Sequence, residues 1–315
     1  MQKPLVILTG PTAVGKTSLS IRLAKRINAE IISADSMQVY KHMDIGTAKV
    51  TPEEMQGVRH YLIDCLNPDE EFNVTIFQQE ALKAMEEIRA KGKLPMIVGG
   101  TGFYIQSVLY DIDFAREDGN KEYREELYEF ARVNGYHALH ERLREVDPES
   151  ALKIDEQNVK RTARALEFFH ETGRKISEHN AQERAKTSPY NFAYFVLNDD
   201  RARLYERINA RVDLMMEQGL KAEVEALLET GIDRKTTSMQ AIGYREIADA
   251  LDGKCTMDEA REKIKLNTRH FAKRQLTWFR REPEVEMINL PDYLYDQQRV
   301  EDAMVTSLKK RGIII

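Results

Sequence analysis

Short, unbroken apolar runs punctuate the first third of the chain, at residues 5–8, 31–34, 60–64 and 94–98. Between them, apolar positions recur at helical spacing over 16–27, 51–58 and 76–91. Unbroken runs suit strands buried on both faces, and their alternation with helices up to about residue 112 predicts βαβ units and a parallel sheet. The middle helix opens on Thr51, Pro52 and Glu54, an N-cap, a first-turn proline and a glutamate that can reach back.

The pattern changes near Arg116. From there to Pro189 the sequence is densely charged with helical period, starting a helix at Asp147-Pro148-Glu149 and stopping one at Thr172-Gly173. This predicts an inserted all-helical domain, 116–189, between core segments 1–115 and 190–315. Strand character returns at 192–197, expected as the last strand of the sheet. Helices follow at 203–218, 221–230, 240–251 and 257–281, the last opened by a Thr256/Glu259 capping box. No internal repeat or low-complexity tract interrupts them.

At 315 residues the chain suits one α/β domain plus a smaller accessory one. Its 42% hydrophobic and 31% charged content is that of a soluble globular protein. The absence of an 18-residue apolar run, and an N-terminus leading directly into a strand, predict no membrane span, no signal peptide and a cytoplasmic location. Cys65 and Cys255, without partners at metal-ligand spacing, are expected as buried or inert thiols. A net charge of -5 argues against indiscriminate coating of nucleic acid, though it permits a local basic face.

One such face emerges in the last long helix. Residues 261–281 hold eight Lys or Arg and one acid, and Arg261, Lys265, Arg269, Lys273 and Arg280 drift along one stripe. That reads as a phosphate-tracking surface. Ile264, Phe271, Gln275 and Trp278 lie on the adjoining face, where Trp278 is expected in the core.

The candidate chemistry begins where the first strand ends. Gly10-Pro11-Thr12-Ala13-Val14-Gly15-Lys16-Thr17 has the form GxxxxGK[ST] between a strand and a helix. Its backbone amides and helix N-terminus point at one anionic centre, Lys16 adds a positive charge, and the Thr17 hydroxyl can hold Mg²⁺ against phosphate oxygens. The loop binds a di- or triphosphate. Alone it does not separate a nucleotide to be hydrolysed from a phosphoryl donor or a diphosphate leaving group.

The second strand runs into Asp35-Ser36-Met37-Gln38, at the carboxyl edge that faces the crevice of an open α/β sheet. Asp35 there serves either Mg²⁺ or an acceptor, or else caps a turn; Asp64 is the rival metal-side acid. A third loop, Gly99-Gly100-Thr101-Gly102, follows the fourth strand, and Thr101 can donate to a phosphate oxygen. A structural turn is the alternative.

GPTAVGKT at 10–17, DSMQVY at 35–40, GGTGFY at 99–104, NVKRTARALE at 158–167, RINARVD at 207–213, QAIGYRE at 240–246 and TRHFAKRQLTWFR at 268–280 together resemble the tRNA dimethylallyltransferase family. The match runs in order over nearly the whole chain. Phe103 departs from the pattern, where Leu is more usual, and no C-terminal zinc-finger ligands follow, so the resemblance is to the bacterial type.

The resemblance implies a P-loop NTPase-like α/β fold and transfer of a dimethylallyl group from dimethylallyl diphosphate to N6 of the adenosine 3′ to the anticodon of tRNA. It places Lys16, Thr17 with Mg²⁺, and Thr101 on the departing diphosphate, and Asp35 as the base that takes the N6 proton. Arg211, with Arg207, would close over the diphosphate. Asp35, Ser36, Met37, Gln38 and Thr101 would meet a flipped base, and Val159, Lys160, Arg161, Arg164, Arg269 and Lys273 the anticodon stem-loop. A monomer is expected. A nucleotide or small-molecule kinase using the same loop with ATP is the rival class, followed by a nucleotide-driven switch.

Overall fold

The computed structural model describes residues 2–114 and 121–315; the domain boundary expected at 115/116 lies outside them. The chain forms two compact units, one up to Leu109 and again from Pro189 to Ile315, the other from Tyr110 to Ser188. The first unit opens with β1 (Lys3–Thr9), α1 (Lys16–Arg26), β2 (Ala29–Ala34), α2 (Pro52–Met55), β3 (His60–Tyr61), α3 (Val74–Ala90), β4 (Leu94–Gly99) and α4 (Gly102–Leu109). The second holds α5 (Lys121–Asn134), α6 (Tyr136–Val146), α7 (Pro148–Lys153), α8 (Val159–Thr172) and α9 (Ile176–Arg184). The first unit resumes with β5 (Tyr190–Asn198), α10 (Arg201–Glu217), α11 (Leu220–Glu229), α12 (Tyr244–Leu251), α13 (Met257–Phe279), β6 (Val285–Asn289) and α14 (Gln297–Lys310).

Six strands among the described residues form one sheet in the order β3-β2-β4-β1-β5-β6, every pairing parallel. Leu5, Val6, Ile7 and Leu8 of the central β1 are fully buried, as its unbroken apolar run requires. The helical unit has its own core, with Leu127, Leu139, Leu143, Ala163 and Leu166 at its centre.

Several elements differ from the sequence expectation: α4 and α14 are additional to it, and the helix expected over 240–251 starts at Tyr244. The sheet does not end at β5: β6 pairs beyond it, Leu197 opposite Ile288, and its Glu286, Asn289 and half-buried positions hide an edge strand from an apolar count. The third strand stops at Tyr61 because Leu62 (φ 61°) and Asp64 (φ 55°) turn left-handed. The helix expected over 51–58 is one turn, ended by Gln56 at φ 48°. Its capping box is present, Thr51 N donating to Glu54 at 2.9 Å and Glu54 N to Thr51 Oγ1 at 3.2 Å, as is that of Thr256 with Glu259. Cys65 is exposed and Cys255 half-buried, so neither is a core thiol.

Candidate active site

Strand register builds this site. Thr9 of β1 and Ala34 of β2 both pair with Gly99 of β4, so the loops that follow leave the carboxyl edge side by side. Two short bonds fasten the row: Thr9 Oγ1 donates to Gly99 O at 2.6 Å, and Thr101 N to Ala34 O at 3.1 Å. The phosphate loop, Asp35 and Thr101 are thereby neighbours.

Gly15 caps α1 at φ 105°, a conformation open to glycine, and no side chain caps the helix. The first-turn amides are left to a ligand. Lys16 curls over the loop, its Nζ donating to Gly10 O at 2.8 Å and Pro11 O at 2.9 Å. Burial lowers the Lys16 pKa to about 8; the Asp35 carboxylate opposes that fall and Arg211 adds to it. Thr17 is exposed on the first turn, and no hydrogen bond among the described residues engages its hydroxyl. From α10, Arg207 Nη2 reaches within 3.5 Å of where a Cβ on Gly15 would stand. Arg211 faces the same space, its charge disfavoured first by burial and then by Arg207.

A cavity of about 640 Å³ has Thr12, Asp35, Ser36, Met37, Thr101 and Arg211 on its wall; of the phosphate loop only Thr12 and Ala13 line it, and Lys16 and Thr17 do not. Ile208, Val212 and Met215 of α10 and Phe271 of α13 make another part of the wall apolar. Asp35 Oδ1 accepts from Met37 N at 2.9 Å and Gln38 N at 3.3 Å, so one oxygen caps the turn. No hydrogen bond among the described residues engages Oδ2. The turn-capping reading of Asp35 thus holds for Oδ1, and Oδ2 is left open toward the cavity.

Not every expected residue joins the site. Gln38 is absent from the cavity wall; its amide donates to Thr47 O at 3.3 Å and Ala48 O at 3.2 Å. Asp64 is also absent from the wall and forms a 2.6 Å salt bridge with Lys49, which removes it as a metal-side acid. Of the basic stripe, Lys265 pairs with Asp213 at 2.7 Å, Arg261 with Asp213 and Asp258, and Arg269 donates to Asn209 Oδ1 at 2.7 Å. These three fasten α13 to its neighbours. Lys273 and Arg274 stay exposed and line a second recess with His270 and Trp278. Trp278 is 37% exposed and edge-on to Phe103, not a core residue. In the helical unit Lys160 and Arg161 are exposed on α8, Val159 is half-buried, and Arg164 pairs at 3.0 Å with Glu167, which also takes Arg124 at 2.7 Å.

Sequence reasoning missed Gln275, whose two ends span the site. Thr12 N donates to its Oε1 at 2.9 Å, and its Nε2 donates to Gly100 O at 3.0 Å. The partners fix the amide's orientation, since a backbone N–H only donates and a carbonyl only accepts. This side chain ties the phosphate loop and the Thr101 loop to α13.

The exposed part of α13 gives a first expectation. Lys273→Ala should weaken RNA binding and flatten the slope of log affinity against log salt by about 0.7 to 0.9, while Lys265→Ala leaves that slope unchanged. Titrating an anticodon stem-loop at several salt concentrations measures both, and an unaltered slope for Lys273→Ala takes the residue out of phosphate contact.

Residues 38–282 match the family of IPP transferases. The chain is 57% identical over 312 residues to the tRNA dimethylallyltransferase of Lachnoclostridium phytofermentans, covering 99% of each, and 51% identical over 291 residues to that of Bacillus cereus, covering 92% of this chain and 91% of the other. Among solved structures it resembles the full-length tRNA isopentenylpyrophosphate transferase of Bacillus halodurans, at TM-score 0.74 and 43% identity over 99% of this chain and 98% of that one. It also resembles a eukaryotic dimethylallyltransferase captured acting on tRNA, at TM-score 0.85 and 28% identity over 99% of this chain and 79% of that one. With a phosphate loop, a free carboxylate oxygen and an apolar wall meeting in one cavity, and with these likenesses spanning nearly its full length, the chain belongs to the tRNA dimethylallyltransferase family of transferases.

Proposed function

We propose that the chain transfers the dimethylallyl group of dimethylallyl diphosphate to the exocyclic N6 of the adenosine 3′ to the anticodon of tRNA, releasing diphosphate. The observation that carries this reading is the cavity itself, where Thr12 and Ala13 of the phosphate loop, apolar side chains for a five-carbon group and the Asp35 carboxylate share one wall.

In this reading the diphosphate meets the open amides of α1, Thr101 and Arg211 approach it from the cavity wall, and Lys16 leaves the carbonyls of Gly10 and Pro11 to reach it. As the allylic C–O bond breaks, its electron pair stays on the diphosphate oxygen, and these donors stabilise the growing charge. The N6 lone pair forms the new bond to that carbon. N6 is a poor nucleophile until its proton leaves, and Asp35 Oδ2 accepts that proton. The products are N6-dimethylallyladenosine and diphosphate, with the proton on Asp35 released to water. An adenine stacked in a loop cannot reach this cavity, so it must flip out, with Ser36 and Met37 on the wall that receives it.

Thr17 fits Mg²⁺ of the kind shared with phosphates: one unengaged hydroxyl beside the amide nest, with substrate oxygens and water completing the shell. Mg²⁺ bound there would neutralise charge on the leaving diphosphate. No helix among the described residues is long and apolar enough to cross a membrane. A cytoplasmic monomer acting on free tRNA is part of the proposal.

The test mixes protein, Mg²⁺ and an anticodon stem-loop with labelled dimethylallyl diphosphate or labelled ATP. Prenyl label should enter the RNA without ATP, and diphosphate should inhibit better than a non-hydrolysable ATP analogue. A requirement for ATP, or stronger inhibition by the analogue, would move the site to the kinases.

A further inference from the structure

Residues 44–46 present three consecutive backbone N–H groups to a single side chain. Glu223, on α11, accepts from Asp44 N at 2.9 Å, Ile45 N at 2.7 Å and Gly46 N at 3.0 Å. Its Oε1 also takes the Tyr244 hydroxyl at 2.5 Å. A run of amides like this is an anion-binding nest, and here the chain fills it with its own carboxylate. Tyr244 is fully buried at the start of α12, and Gly46 lies flat against its ring, where a Cβ would stand 2.5 Å from Cε2. Burial, and then the Glu223 charge, raise the Tyr244 pKa, so its hydroxyl remains a donor at any working pH.

This nest continues inward to the cavity. Gly46, Thr47 and Ala48 form part of the cavity wall. The carbonyls of Thr47 and Ala48 hold the Gln38 amide at 3.3 and 3.2 Å, and the backbone N–H groups of Met37 and Gln38 hold Asp35 Oδ1. Between Met43 and Val50, both buried, no apolar side chain of this loop is buried, so polar contacts set its position. The contacts run without a gap from Tyr244 through Glu223, the 44–48 backbone and Gln38 to Asp35.

We infer that Glu223 is a positioning residue for Asp35: clasped by Tyr244, it fixes the loop that holds Gln38 and so aims the free Asp35 oxygen at the acceptor amine. The inference rests on the proposed role of Asp35 as base. It gives Gln38 a scaffold task in place of base contact, and it gives the otherwise self-contained Glu223–Tyr244 pair a catalytic consequence.

Two variants test it. In Glu223→Gln the new amide N–H meets the donor Gly46 N, and in Tyr244→Phe the ring still packs on Gly46 without the hydroxyl. Single-turnover transfer to an anticodon stem-loop should fall about tenfold in Glu223→Gln and about threefold in Tyr244→Phe, since small misplacements of a reacting group carry costs of this order. The dissociation constant of diphosphate should stay within about twofold of the parent's, because the phosphate loop is outside this chain of contacts. The decisive measurement is a double-mutant cycle: Glu223→Gln added to Asp35→Asn should slow transfer no further than Asp35→Asn alone. Parental rates in both variants, or a Glu223→Gln loss that multiplies on a slow Asp35→Asn background, would overturn the positioning role alone. An Asp35→Asn rate equal to the parent's would remove the base itself, and the inference with it.

Discussion

Asp35→Asn keeps diphosphate binding and slows prenyl transfer by about 10²- to 10⁴-fold, the usual cost of losing one general base. The substitution is close to isosteric, and the structure separates the two carboxylate oxygens. Oδ1 is committed to Met37 N and Gln38 N, and an asparagine Oδ1 accepts both bonds unchanged. Only Oδ2 becomes an amide NH2, which can still touch the acceptor but cannot take its proton. The turn is preserved, Lys16 loses a favourable charge, and catalysis loses its proton acceptor. Single-turnover rates from pH 6 to 9 test this, with the melting temperature as control. A variant within a few-fold of the parent across that range would leave Asp35 as a turn cap and nothing more.

The parts of the site legible in the sequence are those the local backbone decides. GxxxxGKT between a strand and a helix forms the same amide nest wherever it occurs, because glycine geometry and the helix N-terminus specify it without help from distant residues. Asp35 and Thr101 were readable because the carboxyl ends of parallel strands share one edge, and the Thr9–Gly99–Ala34 register bears that out. What stayed hidden depends on partners far along the chain. Gln275 sits 263 residues from Thr12, and Glu223 178 residues from Ile45 in the loop it clasps. Helical spacing says which face Gln275 occupies, not that its amide bridges two loops. The pairing of the basic stripe was hidden for the same reason: Arg261, Lys265 and Arg269 looked free because Asp213 and Asn209, which hold them, belong to α10, while Lys273 and Arg280 are exposed. Of the later elements, β6 hid behind its polar edge positions, whereas α14 carries Val300, Met304 and Leu308 on one face and was open to a helical reading.

Lys16→Ala should cost more in transfer than in binding, and the asymmetry separates a leaving-group site from a plain phosphate clamp. In the ground state Lys16 meets a diphosphate whose charge is already spread over its oxygens, so its loss weakens binding about tenfold, the scale of one charge-assisted hydrogen bond. In the transition state the bridging oxygen gains charge as the C–O bond breaks, and a donor aimed there is worth about 10²- to 10³-fold in rate. The same lysine predicts a pH dependence of definite sign. Its pKa in the free protein is lowered to about 8, so below that value it is already cationic and the affinity for dimethylallyl diphosphate is flat. Above it, binding must draw in a proton, because the bound anion favours the charged amine. Affinity then falls as pH rises, at most tenfold per unit, until the pKa of the complex is passed. The ligand does not confuse the readout, since phosphate esters lose their last proton near pH 6, well below this range. Calorimetry of the parent at pH 9 in buffers of different ionisation enthalpy should register proton uptake, and Lys16→Ala should register none. Equal losses in binding and rate would mean that Lys16 holds the diphosphate without assisting its departure, and a parent affinity that stays flat through pH 9 would mean that its charge does not act on the bound anion.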